Sequence, residues 1–243
     1  MAQSGGFGMS GLVESALAIL AGAGDRTRLA SENIGNMTTP GYKARRFQAA
    51  IVERTVGGGE AEPAAPQLDF AQGPLRATGN KYDLALQGEG FFVVAAPNGE
   101  LYYTRQGQFD RAEDGRLLSP GGYTLQQAGG GDLVVAHDRI EITQDGTALD
   151  AGQPIGQVAL AVPEAGVELV PVSGSTFAAP PSGMNETAVA SVRQGMLEGA
   201  NTSLGDEMLS LMTATRQAEA GARLVQVYDE LMGRAFTTLG QRG

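Results

Sequence analysis

Apolar positions follow a helical period at both ends of this chain and a strand-like period in the middle. From Leu12 to about Asn36, Leu12, Ala16, Ile19, Ala23, Ala30, Asn33 and Met37 fall on one stripe of alternating four- and three-residue steps. Arg26 is its single charged member, and the spacing predicts one helix. Pro40-Gly41 stops it, because proline cannot continue the hydrogen-bond ladder and restricts the residue before it. The stripe is mostly alanine, and Gly22 and Gly24 each cost roughly 1 kcal/mol relative to alanine. A helix this weak requires a closely packed partner.

The second stripe is longer: Leu204, Met208, Leu211, Thr215, Ala218, Ala222, Val225, Asp229, Met232, Phe236 and Leu239. It keeps the four-three alternation over about five heptads, the signature of a coiled coil. Ser203 followed by Asp206 reads as a capping box at its start. At about 1.5 Å per residue the helix would run on the order of 54 Å.

Between the stripes, turn signals separate short β-like runs. Gly57-Gly58-Gly59 through Pro66 reads as a flexible loop. Strands are expected at Asp83–Gln87, Phe91–Ala95, Leu101–Thr104, Tyr123–Gln126, Leu133–Val135, Ile140–Ile142, Val158–Val162 and Val167–Val170. Asn98-Gly99 is a strong hairpin signal between two of them. The expected fold is α+β, with long paired N- and C-terminal helices, coiled-coil-like, around an inserted all-β domain. Residues 1–36 would form the first helix, 37–72 an extended connection, 73–190 the β-rich domain and 191–243 the helix that pairs with the first.

A net charge of -10 argues against nucleic acid and against anionic membrane surfaces as partners. No apolar run reaches the roughly 20 residues that span a bilayer, so no membrane insertion is expected. The first eleven residues carry neither a basic segment nor a clean apolar core, which argues against a cleavable secretory signal. Without cysteine there is no disulfide, thiolate nucleophile or thiolate-bound metal.

Catalytic chemistry has little to build on. His137, the only histidine, lies in a segment that reads as a strand end or turn. Asp110 and Asp114 before Gly115 lack the later acidic ligand of a calcium loop. Asp145-Gly146 reads as another turn, and Gly129-Gly130-Gly131 lacks the Lys-Ser/Thr of a phosphate loop. Three glycosylation sequons begin at Asn36, Asn185 and Asn201, a pattern short enough to arise by chance. Neither a cofactor nor a metal is expected, and an enzyme is disfavoured.

Several segments together carry a family pattern. Asn33, Ile34, Asn36, Thr39, Pro40, Gly41, Tyr42 and Lys43 match an Ala-Asn-Asn-Ile-Ala-Asn-x-x-Thr-Pro-Gly-Tyr/Phe-Lys signature, from which Ser31, Glu32 and Gly35 depart. Gln72–Asn80, Asp83–Phe92 and Tyr103–Phe109 resemble the same family's entry into its β domain. Gly195–Asn201 is similar to its Gly-x-Leu-Glu-x-Ser-Asn segment, with Ala200 in place of serine. In these respects the chain resembles the axial proteins of the bacterial flagellum, the rod and hook family. The short segment from Ala44 to Ala71 resembles the proximal-rod members more than the distal-rod members, which usually carry a longer insertion there.

The resemblance implies a structural subunit of the periplasm-spanning rod in the flagellar basal body, transmitting torque from motor to hook. It implies self-association in a helical tube whose inner wall is formed by the terminal helices. Other rod and hook proteins and the flagellar type III export apparatus are the implied partners, with no signal peptide cleaved. The expected assembly residues are Leu12, Ile19, Asn33, Ile34, Asn36, Pro40, Gly41, Tyr42, Asn201, Leu204, Met208, Leu211, Val225, Met232, Phe236 and Leu239. For Asn33 and Asn36 two readings stay open, local capping before Pro40 and amide bonding to neighbouring subunits. Outside this family, a phage-tail or adhesin-like protein would share the heptads and β domain but not the Asn33–Lys43 signature.

Overall fold

The computed structural model describes residues 10–47, 65–186 and 190–240. The Gly57–Gly59 loop, the first nine residues and the last member of the Asn185 sequon lie outside them, as do the side chains of Phe236 and Leu239. The chain divides into two compact units. One holds Met1–Gly35, Arg45–Gln67 and Ser203–Gly243; the other holds Asn36–Ala44 and Leu68–Thr202.

In the helical unit, α1 spans Ser10–Gly35 and α2 spans Leu204–Gly240. The Ser203 hydroxyl and carbonyl accept the Asp206 and Glu207 amides at 3.5 and 3.0 Å, which caps α2 at its first turn. On α1 the buried line is Ala16, Ala23 and Ala30, with Leu29 and Asn33 beside it.

The expected fold class needs correction. One helix of 26 residues and one of 37 accompany a large β-rich part, but among the described residues no coiled-coil seam joins the helices. The buried line of α2 is Glu207, Ala214 and Gly221, while Leu204 and Met208 are about half exposed. Leu211, Ala218, Val225 and Met232 lie half-buried at the margin of that line, and Thr215, Ala222 and Asp229 face solvent. The reason is size. A β-carbon on Gly221 would meet Leu20 Cγ at 3.0 Å and the Ala16 carbonyl at 3.3 Å, so the contact runs through small residues that let the backbones approach. Heptad leucines would hold them apart.

The β unit is built around Phe91–Ala95. Successive side chains of a strand point to opposite faces, and here both faces are covered. Phe92 and Val94 enter a core with Leu84, Phe109, Leu117, Leu125 and Leu133. Phe91 and Val93 enter a second core with Tyr103, Leu169 and Phe177. The sheet runs Val170–Ser173, Thr176–Ala178, Leu101–Thr104, Phe91–Ala95, Thr124–Leu125, Leu117–Leu118, Asp110–Arg111, and Leu160–Pro163 pairs with both Phe91–Ala95 and Met184–Glu186. The Asn98-Gly99 turn joins its two neighbouring strands, with Gly99 at φ +84.

Three smaller ladders complete the unit. Ile140–Ile142, Thr147–Asp150 and Gln153–Gln157 form one. Ser191–Gln194 pairs with Leu84–Gln87, and Met196–Glu198 with Leu75–Ala77. Where a strand is expected at Leu133–Val135, Leu133 and Val135 are buried and Val134 makes a single bridge to Arg116. The strand expected to begin at Val167 begins at Val170, and Val158 makes a bridge ahead of Leu160–Pro163.

Candidate functional site

Within the β unit, the segments that carry the family pattern converge on one carboxylate. Thr39-Pro40-Gly41 turns the chain, and Gly41 sits at φ +69 with the Arg105 backbone 2.3 Å from where a β-carbon would be. No other residue fits there. The Gly41 amide donates to the Glu198 carbonyl at 2.8 Å, and the Asn201 amide to the Tyr42 carbonyl at 3.3 Å. These bonds lay Lys43 beside Glu198.

The Glu198 side chain is fully buried, and Lys43 and Arg105 are buried with it. Lys43 Nζ donates to Glu198 Oε1 at 2.7 Å and to the Ala71 carbonyl at 2.8 Å. Arg105 Nη1 donates to Glu198 Oε2 at 3.2 Å, and Nη2 to the Gly88 carbonyl at 2.8 Å. The Gly73 amide adds a donor to Oε1 at 2.9 Å, and the guanidinium lies 5.4 Å from the Phe91 ring centre. Burial pushes the Lys43 ammonium and the Arg105 guanidinium below their ordinary pKa values, against the opposing pull of Glu198. The cluster fixes the geometry of four chain segments, although Arg105 Nε is buried without a hydrogen-bond partner, and losing one member leaves a buried charge unpaired.

Two asparagines act as backbone partners. Asn201 Oδ1 accepts the Ala44 amide at 2.7 Å, and Nδ2 donates to the Asp69 and Ala71 carbonyls at 2.6 and 3.0 Å. In the helical unit, Asn33 Oδ1 accepts the Arg45 amide at 3.1 Å. Its Nδ2 donates to the Arg45 carbonyl and to Glu207 Oε1, both at 3.0 Å. A cleft of about 430 Å³ opens there, lined by Arg26, Asn33, Arg45, Arg46, Asp206 and Glu207 among others. Asn36 Oδ1 accepts from Thr39 Oγ1 at 3.3 Å.

The expected assembly residues therefore separate. Asn33, Gly41 and Tyr42 are buried within their own units, and Ile19, Ile34, Asn36, Pro40 and Asn201 are partly covered. Leu12, Leu204 and Met208 face solvent, each 44 to 50 % exposed. Leu209, Met212, Leu224, Val227 and Leu231, absent from the heptad stripe, are also exposed on α2. Sequence reading assigned no role to Lys43, Gly73, Arg105, Glu198 or Glu207. The available signal was opposite charges recurring beside glycine inside separate motifs.

His137 is largely exposed, and its Nδ1 lies 3.2 Å from Asp150 Oδ2. The same oxygen accepts the Ala136 and His137 amides at 2.9 Å, so Asp150 anchors the loop.

Residues 85–158 match the flagellar hook protein FlgE/F/G D1 domain, and residues 193–238 match the flagellar basal body rod FlgEFG protein C-terminal region. The chain is 29% identical to the flagellar basal-body rod protein FlgF of Caulobacter vibrioides, over 88% of this chain and 91% of that protein. It is 28% identical to the flagellar basal-body rod protein FlgG of Agrobacterium fabrum, over 83% and 88%. A shorter match, 31% over 52% of this chain and 34% of the other, is to the flagellar hook protein FlgE of Brucella abortus. The chain is thus similar over most of its length to the flagellar basal-body rod proteins FlgF and FlgG, and two of its segments match FlgE/F/G family domains. The FlgF and FlgG relatives are structural rod components. Among the described residues no helix is long and apolar enough to cross a membrane.

Proposed function

We propose that this chain is a structural subunit of the flagellar basal-body rod, of the proximal-rod type. It associates with copies of itself and with other rod and hook proteins in a helical tube, and transmits torque from motor to hook. The flagellar export apparatus delivers it to a rod that spans the periplasm, with no signal peptide cleaved. The distal-rod reading stands second, because relatives named FlgF and FlgG match over similar spans.

The observation that carries the proposal is the apolar surface of α2. Leu204, Met208, Leu209 and Met212 are 45 to 64 % exposed within nine residues of one helix, and Val227 and Leu231 are exposed further along it; exposed apolar clusters of this kind mark interaction sites. Leu12 of α1 joins the assembly surface. Pro40, Gly41, Tyr42 and Asn201 serve assembly by shaping the β unit.

Electron microscopy of basal bodies from cells lacking the gene tests the role. Missing or truncated rods without hooks are expected, and normal basal bodies with hooks would overturn it. The surface is tested with Leu209→Asp and Met212→Asp together. The variant is expected to keep wild-type circular dichroism and fail to restore rods; normal rods would refute the assignment.

A further inference from the structure

A second stripe runs along α2, about a third of a turn around the helix from the buried Ala214–Gly221 line. It is centred on Ala220, and its spacing reads the same from either end. Arg216 and Leu224 lie four residues to either side of Ala220, Thr213 and Val227 seven, and Leu209 and Leu231 eleven. Steps of four and three keep all of them on one face, and every one is exposed. A shallow groove of about 380 Å³ lies over Ala220, walled by Arg216, Glu219, Arg223, Leu224 and Val227. Glu219 stands three residues from Arg216 and four from Arg223, yet among the described residues it forms an ion pair with neither.

We infer that α2 of a second copy lies antiparallel across this stripe, with the two Ala220 residues on a two-fold axis. Reversal about Ala220 sets Leu209 against Leu231 and Thr213 against Val227 of the other copy. It also lays Leu224 along the methylene stem of Arg216. Glu219 and Arg223 share one flank of the stripe, and antiparallel helices bring like flanks together. Each Glu219 therefore meets the Arg223 of the other copy, in two equivalent ion pairs that the single chain does not make. Alanine at the crossing allows the close end of the roughly 8–10 Å helix spacing. A pair of this kind uses the same patch on both copies and is closed to further growth. It covers Leu209, Val227 and Leu231, which the proposed function gives to rod assembly, and so holds the chain in reserve until rod contacts displace it. That reserve role rests on the proposed function, whereas the pairing stands or falls in solution, apart from any basal body.

The chain has no cysteine, so one introduced thiol reports the contact. Full-length Ala220→Cys under mild oxidant is expected to form a disulfide-linked dimer, because the axis brings the two α-carbons within the roughly 4.4–6.8 Å that a disulfide spans. Ala222→Cys, also exposed but on another side of α2, is expected to stay monomeric. Sedimentation equilibrium then measures pairing without a cross-link. Glu219→Arg and Arg223→Glu should each weaken it about tenfold, and the two together should restore it. All these positions are exposed, and unchanged circular dichroism confirms that the variants fold. A parent chain still monomeric at about 1 mM would overturn the pairing. Ala220→Cys linking no faster than Ala222→Cys, or a double swap as weak as the single ones, would overturn the two-fold register.

Discussion

Gly73→Ala puts one methyl group where the β unit has no room. A β-carbon at Gly73 would lie 2.0 Å from the Gly199 carbonyl oxygen. Ordinary contact begins at 3.4 Å, so one wall must retreat by about 1.4 Å. Two hydrogen bonds span this gap and both would break: Gly73 amide to Glu198 Oε1 at 2.9 Å, and Gly199 amide to the Pro74 carbonyl at 2.9 Å. A bond to a charged group contributes about 1.5–3 kcal/mol and a neutral one about 0.5–1.5 kcal/mol. The expected loss is about 3 kcal/mol, or about 10 °C in melting temperature for a unit of this size. Gly79→Ala is the control, since Gly79 has φ +74 and open space around it; strain alone should cost about 1 kcal/mol. Urea titration followed by tyrosine emission measures both. A Gly73→Ala loss below about 1 kcal/mol, or one equal to Gly79→Ala, would refute the argument from close approach.

Gly22→Ala and Gly24→Ala, each in open space on α1, should each stabilise the helical unit by about 1 kcal/mol; a thermal melt of the helical circular dichroism signal checks this. Asn33→Ala, which removes bonds to both Arg45 backbone groups and to Glu207, should cost about 2 kcal/mol in the same melt. Acid should weaken the β unit. The Arg116 amide and side chain lower the pKa of Asp114, bonds from Lys81 and Tyr82 lower that of Asp138, and Thr143 and Thr147 lower that of Asp145. Folded values below the ordinary 3.8 mean that this stability is full above that value and is lost as pH falls through it toward the lower folded values. A pH series of urea midpoints should decline from about pH 5 downward, and a flat series would contradict the bonding described.

Some of this fold is legible in the chain and some is not. The Ala16–Ala23–Ala30 line is legible because one helical period fixes which side chains share a face. Phe91–Ala95 and the Asn98-Gly99 turn are legible because a doubly buried strand reads as a continuous apolar run. The face of α2 is not. A heptad reading ranks positions by apolar size, whereas the contact selects Ala214 and Gly221, whose smallness carries no hydrophobic signal. The Lys43–Arg105–Glu198 cluster is hidden for another reason. Charged residues are exposed by default, and nothing local in three separate segments says that they meet.

The burial of Lys43 gives the protein a built-in chemical reporter. The chain contains only two lysines, Lys43 and Lys81. Lys81 keeps 38% of its side chain in contact with solvent, whereas Lys43 keeps 1%. An amine-reactive reagent added to the native protein should therefore acylate Lys81 (and any terminal amine) promptly, and Lys43 only when the β unit opens. The ratio of the two labelled peptides, followed over time by mass spectrometry, would read out opening of that unit without a mutation or an added fluorophore.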